Sequence, residues 1–268
     1  FGRTKWDKAA TRLYSVKAIY IENKEILREE FYNAPKWDYN LCEKNSIFVS
    51  QATHPIKGFH LLIEAIHILK QKYSNLKIYV SGGDLFGKSF MKLKKYERYI
   101  LKLINKYSLK DNIIFLGQIN ATEMIKQYLN ANVFVSSSSI ENSPNSVMEA
   151  AFLGVPIISS NVGGVSNLIS EKKSYLYQAD SEMMLANYID TILEKKYIET
   201  LDYEFENPET TVKKLTDSYK KIHKSNLSLF CQIENFLLHD VNIKLKRGNL
   251  EIFTNVNHFC LRKKINKL

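Results

Sequence analysis

Cysteine is scarce in this chain: three in 268 residues, at positions 42, 231 and 260, odd in number and without the close spacing of metal ligands. That excludes a small disulfide-stapled fold and a thiolate metal site, and it fits a reduced, cytoplasmic protein. Histidine is sparse too, with six residues and no HExxH or related cluster, so neither a metal nor another cofactor is expected. His60 and His67, seven apart, read as the surface of an amphipathic helix. No run approaches the roughly 18–20 continuous apolar residues of a membrane span. The amino terminus lacks the basic, apolar, small-residue order of a signal peptide. The chain opens on Phe1 rather than Met, which reads as a fragment of something longer. Internal repeats and low-complexity tracts are missing as well.

Negative charge is the other shortage. Twenty-eight acidic residues face 38 basic ones, a formal net charge of +10. The excess reads first as a lysine-rich solvated surface. It also suits attraction to anionic lipid headgroups or to an anionic substrate. Nucleic acid is disfavoured, because the lysines are spread along the chain and no nucleic-acid-binding motif accompanies them. Hydrophobic residues at 45% and charged residues at 25% leave enough apolar material for a globular core.

From about residue 46 the chain alternates between strand-like and helix-like segments. Ile47, Phe48 and Val49 form a short β-branched and aromatic run. After a loop with Pro55 and Gly58, the residues Phe59, Leu62, Ile63 and Ile66 recur at helical spacing. Residues 76–81 predict a strand ending at Gly82-Gly83, and a lysine-flanked helix follows around Tyr99, Leu103 and Ile104. Residues 113–116, 133–135 and 155–158 predict further strands, and 122–129 and 184–193 further helices. A helix through Ala150 stops at Gly154, with Pro156 just beyond. The pattern predicts an α/β fold, a Rossmann-like parallel sheet with helices on both faces. Such sheets bind ligands beyond the carboxyl ends of their strands, so loops after Val49, Val80, Leu116, Val135 and Ile158 are expected to carry function. Residues 18–21 suggest one more strand, 210–223 a charged helix, and 225–268 give mixed signals.

The most informative stretch is residues 136–164, SSSSIENSPNSVMEAAFLGVPIISSNVGG. Ser143 can cap a helix whose first residue is Pro144, leaving the N–H groups of Asn145 and Ser146 free at the helix start. Free N–H groups at the positive end of a helix dipole make an anion site, here for a phosphate. Glu141 and Glu149 bracket that start with seven residues between them. Such acids can accept hydrogen bonds from sugar and ribose hydroxyls. On spacing alone, the plainer reading is favoured: Glu141 a loop acid and Glu149 a complement to the helix dipole.

The segment Glu141-Asn142-Ser143-Pro144-Asn145-Ser146-Val147-Met148-Glu149-Ala150, with Gly154-Val155-Pro156 and Gly163-Gly164, resembles the donor-site signature of family 4 glycosyltransferases. Lys57-Gly58 looks like that family's Lys-Gly segment, Gly82-Gly83-Asp84 its glycine-containing turn, and Phe115-Leu116-Gly117 its next strand end. The resemblance covers roughly residues 46–195. It implies a GT-B fold, two Rossmann-like domains with the active site between them, of which this chain holds mainly the carboxyl-terminal, donor-binding half. It further implies that Glu149 binds the donor ribose and that Glu141 contacts the donor sugar as the catalytic acid. Lys57 would neutralise the diphosphate, the amides of Asn145 and Ser146 would cradle it, and Gly83 would lie in the donor-binding turn. Gly163-Gly164 reads equally well as a plain tight turn.

Two positions depart from the family pattern. No arginine lies between Ser50 and Lys57, where many members carry one, so either Lys57 carries the phosphate charge with polar help from Gln51 or His54, or donor affinity is weak. Asn167 stands where many members have an acid. The opening Gly2-Arg3-Thr4-Lys5-Trp6-Asp7 looks like the end of an acceptor domain; read alone it is a surface loop with a buried tryptophan. The expected organisation is therefore residues 1–44 as that domain's end and a linker, 45–200 as the donor-binding domain, and 201–268 as a helical extension. The implied reaction is metal-independent transfer of a sugar, with retention, from a nucleoside-diphosphate sugar to a hydroxyl acceptor in bacterial cell-surface polysaccharide synthesis. The expected partners are the nucleotide sugar, a carbohydrate or lipid-linked acceptor and an anionic membrane at the cytoplasmic face. A nucleotide-sugar-binding module without turnover is the alternative. An epimerase is more distant, because only His54 offers itself as an acid/base.

Overall fold

The computed structural model describes residues 1–169, 174–196, 198, 203, 205, 207–237, 243–246 and 249–252. Two compact units divide at Thr211: Phe1–Thr211 and Val212–Leu268.

The first unit is built on six strands: β1 (Glu43–Val49), β2 (Lys77–Ser81), β3 (Ile113–Gly117), β4 (Ala131–Ser136), β5 (Ile157–Ser160) and β6 (Tyr175–Tyr177). All pair in parallel, in the order β3-β2-β1-β4-β5-β6. This is the doubly wound Rossmann order, whose direction of winding reverses between β1 and β4. The central strands are apolar because both faces are covered: Ile47, Phe48, Val133 and Phe134 have no exposed surface. The helices are α1 (Lys5–Tyr14), α2 (Glu29–Tyr32), α3 (Phe59–Leu69), α4 (Lys95–Lys106), α5 (Ala121–Asn130), α6 (Asn145–Leu153), α7 (Glu182–Leu193) and α8 (Pro208–Leu237). Six of them pack as two groups, α3 with α4 and α7, and α2 with α5 and α6. Right-handed crossovers put α3 and α4, which join β1 to β2 and β2 to β3, on one face, and the reversal puts α5 and α6 on the other.

Local chemistry sets the boundaries. Asn120 caps α5 and Glu123 reaches back to the Asn120 N–H, a reciprocal box. Gly154, at φ 80°, ends α6 and turns the chain into β5. The start of α6 differs from the sequence expectation by one residue. Pro144 is extended (ψ 116°) and is itself the cap, and Asn145 is the first helical residue. The Ser143 hydroxyl is turned inward, 3.6 Å from the Met148 sulfur, and so does not cap the helix.

Residues 1–44 are more structured than expected. The opening is helix α1, not a loop, and Trp6 is 42% exposed rather than buried. No strand forms at 18–21, where Ile19 is 87% exposed; only an isolated bridge joins Gly2 to Glu22. Phe31 and Trp37 are fully buried, and the Trp37 indole donates to the Ala131 carbonyl at 2.7 Å, fastening the linker to β4. The second unit holds the remainder of α8, longer than the predicted 210–223, and an antiparallel ribbon of β7 (Ile243–Lys246) and β8 (Asn249–Ile252).

Candidate functional site: a cleft at the reversal of the sheet

A narrow cleft opens at the carboxyl ends of β1 and β4, where the winding reverses. Val49, Ser50 and Gln51 line it from one side, residues 135–138 from the other, and Lys57, Glu141 and Ser146 complete it. Three of the six predicted site residues therefore share one cleft.

Lys57 owes its place to a clamp. It ends a 3₁₀ turn, Pro55–Lys57, closed by Gly58 at φ 64°. The Ser137 hydroxyl lies 3.1 Å from the Lys57 carbonyl and 3.0 Å from that of Gly58. A Cβ on Gly58 would fall 1.8 Å from the Ser137 carbonyl oxygen, so only glycine permits this approach. The Ser139 N–H donates to the Ile56 carbonyl at 2.8 Å. The Lys57 ammonium, thus aimed, pairs with the Glu141 carboxylate. The Ser138 hydroxyl donates to the same carboxylate oxygen at 2.9 Å.

Glu141 is fixed from behind by the Gly163-Gly164 turn. The Gly164 N–H donates to the Glu141 carbonyl at 3.2 Å, and a Cβ on Gly163 would lie 1.7 Å from that oxygen. The paired glycines are thus more than a turn: they let two loops touch backbone to backbone. Beyond them lies the amino-terminal segment. The Thr4 hydroxyl donates to Asn142 Oδ1 at 2.6 Å, Asn142 Nδ2 donates to Asp7 at 2.9 Å, and the Lys5 N–H donates to Asn167 at 3.1 Å. Burial works to raise the Asp7 pKa. Hydrogen bonds from the Arg3 N–H, Tyr20, Asn142 and the Thr4 N–H outweigh it and hold the group at about 2. A cavity of about 350 Å³, lined by Arg3, Lys5, Ser143, Met148 and Asn167 among others, opens beside this contact.

The other three predicted residues are placed differently. Asn145 is exposed in the first turn of α6, where the N–H groups of Asn145 and Ser146 have no intrahelical partner. Gly83 lies against Thr53, whose methyl would be 2.6 Å from an added Cβ, so it shapes the outer wall of the Lys57 loop. Glu149 points inward, with its side chain 7% exposed. Arg28 donates to its Oε1 at 2.8 Å, and the buried Tyr128 hydroxyl lies 3.1 Å from its Oε2. Burial raises the Glu149 pKa, and the Arg28 guanidinium and Tyr128 oppose that rise.

Residues 35–207 match the family model described as Glycosyl transferases group 1. The chain belongs to this glycosyltransferase family. Protein CapJ of Staphylococcus aureus is 29% identical over 214 residues, 79% of this chain and 45% of its own length. The sucrose-phosphate synthase of Thermosynechococcus elongatus superposes with a TM-score of 0.68 at 21% identity, over 84% of this chain and 58% of that one. HepE of Anabaena, solved with UDP and glucose, superposes at 0.59 and 18% identity, over 72% of this chain and 52% of its own. This glycosyltransferase chain thus spans less than half the length of its curated relative CapJ.

Sequence reasoning missed four residues that hold the predicted ones in place: Ser137, Ser138, Arg28 and Tyr128. The serine run at 136–139 was a visible signal, since hydroxyls after a buried strand end are placed to bond neighbouring loops. Arg28 and Tyr128 carried none, because their partners are 121 and 21 residues away. Among the described residues, no group of three or more His, Cys, Asp or Glu could hold a metal ion. No helix among them is long and apolar enough to cross a membrane.

Proposed function

We propose that this domain binds a nucleoside-diphosphate sugar and serves its transfer, with retained configuration and without a metal, to a hydroxyl acceptor of a cell-surface polysaccharide. The observation that carries the reading is the Lys57–Glu141 pair in the cleft at the sheet reversal, beside the first turn of α6. A cation and free amide N–H groups suit a diphosphate, and a carboxylate beside them suits sugar hydroxyls. In the transfer, the bond between the sugar C1 and the phosphate oxygen breaks and its electron pair leaves with the diphosphate. The acceptor oxygen bonds to C1, and its proton passes to the leaving phosphate. Lys57 and the amides of Asn145 and Ser146 stabilise the charge that develops on the diphosphate. No arginine lies between Ser50 and Lys57, so Gln51 in the cleft wall supplies the remaining polar contact.

Glu149 receives the ribose hydroxyls only when Arg28 gives up its hold, which makes Arg28 a competitor for that carboxylate. The cavity bounded by Arg3, Lys5 and Asn167 takes the acceptor side. The protein works in the cytoplasm, against the inner face of the membrane, on a carbohydrate or lipid-linked acceptor. A second reading is donor binding without turnover. Incubation with UDP- and GDP-hexoses and simple glycoside acceptors, followed by NMR of the new anomeric linkage, separates the two. Retention supports the full proposal, saturable binding without product supports the second reading, and inversion overturns the mechanism.

A further inference from the structure

The loop after β2 and the helix that follows it present a surface that sugar transfer does not use. Residues 84–94 leave the carboxyl end of β2, on the same edge of the sheet as the Lys57–Glu141 cleft. The loop is pinned at both ends by Leu85 and Leu93, 0% and 2% exposed. The Asp84 carboxylate accepts the N–H groups of Phe86 and Gly87 at 2.9 and 3.0 Å, and Phe86 packs edge-on against Phe115. From α4, Arg98 donates to the Met91 carbonyl at 3.0 Å and lies over the Phe90 ring. Between these pins Phe90 and Met91 face solvent, 53% and 85% exposed. The loop's own bonds hold these apolar side chains outward, against the burial that drives folding.

The charge around them is of one sign. Lys88, Lys92, Lys94, Lys95, Lys102 and Lys106 are all exposed. The two acids of this stretch are already engaged: Asp84 in its turn, and Glu97 buried and paired with Lys88 at 3.1 Å. Apolar tips flanked in the chain by the exposed Lys88, Lys92, Lys94 and Lys95 match the interface of an anionic bilayer, where the tips enter the acyl boundary and the amines meet headgroup phosphates. A nucleic acid would use the amines but leave the aliphatic Met91 tip without a partner.

We infer that residues 86–102 form a membrane-docking surface for anionic lipid. Phe90 and Met91 insert, and the surrounding lysines bind the headgroup phosphates. The inference rests on the transferase reading only for its purpose, which is to hold the rim of the cleft against the layer that carries a lipid-linked acceptor.

Sedimentation of the whole chain with vesicles tests it, using phosphatidylcholine alone and phosphatidylcholine mixed with phosphatidylglycerol. Binding to the anionic vesicles is expected to be at least about tenfold tighter. The Phe90→Ser/Met91→Ser variant should lose about tenfold of it, and Lys92→Glu/Lys94→Glu/Lys95→Glu should bind no better than to neutral vesicles. Lys126→Glu, on α5, should bind like the unaltered chain. The altered residues are all exposed, and equal thermal transitions confirm that the variants fold. No preference for anionic vesicles, or variants that bind undiminished, would overturn the inference. So would protection of Met91 from peroxide oxidation in vesicle-free protein, since another protein surface would then cover it. The same samples titrated with nucleotide keep the two readings apart. Vesicle binding without nucleotide binding removes the transferase reading alone, and the converse removes the docking surface alone.

Discussion

Glu141 is held from three directions, and each hold is made by residues remote from it in sequence or by the serine run just before it. Lys57 and Ser138 meet its carboxylate, the Gly164 N–H meets its carbonyl, and Thr4 and Asp7 grip the adjacent Asn142 side chain. The last hold is sensitive to pH. The Asp7 carboxyl sits at about 2 in the fold against an ordinary 3.8, so folding favours its ionised form. Its stabilisation is complete above pH 3.8 and is lost as pH falls toward about 2. Asp7→Asn should therefore flatten the acid limb of stability in that window and lower stability at neutral pH. Urea midpoints measured across the window for both proteins check this. An acid limb that the Asp7→Asn substitution leaves unchanged would show that the carboxylate is not what secures the amino-terminal segment. At this scale the sequence was legible for Lys57, Glu141 and Ser146, which stand in contiguous motifs. It was silent on Arg28 and on the contacts of Thr4 and Asp7, whose partners lie more than a hundred residues away.

Among the elements, two glycines do what no other residue can. Gly58 and Gly163 both have positive φ and both touch a carbonyl oxygen of a cleft loop. Alanine at either position meets backbone strain and a steric overlap together, a cost of at least about 2 kcal/mol. Gly163→Ala should lower thermal stability and push the Glu141 loop out of place, while Gly117→Ala, also at positive φ but with open space around its Cβ, should cost less and leave the cleft intact. Comparison of their denaturation midpoints and nucleotide affinities checks this, and equal effects would contradict it. The alternation of apolar runs and helical stripes placed β1 to β5 and α3 to α7 to within a few residues and missed the short edge strand β6. It failed where packing decides. The run at 18–21 has strand-like composition but meets only Gly2 at residue 22, so no ladder extends from it. Ser143 and Pro144 form a fair helix-start signal, but the hydroxyl is drawn to the buried Met148 and the helix begins one residue late.

Over the whole molecule, one topological fact organises the site. The sheet order reverses its winding between β1 and β4, which splays the loops after these two strands and leaves a cleft between them. The serine run and the Lys-Gly turn fill its two walls and bring a cation, a carboxylate and the start of α6 together. The central claim is that this cleft holds the diphosphate of a nucleotide sugar. Calorimetric titration of the chain with UDP, GDP and their sugar conjugates, repeated with Lys57→Ala, tests it most directly. The account predicts saturable binding of at least one of them. Lys57→Ala should weaken it roughly ten- to a hundredfold, the loss of a charge-assisted contact of about 1.5–3 kcal/mol. Binding that Lys57→Ala leaves unchanged, or no binding of any of these ligands, would contradict it.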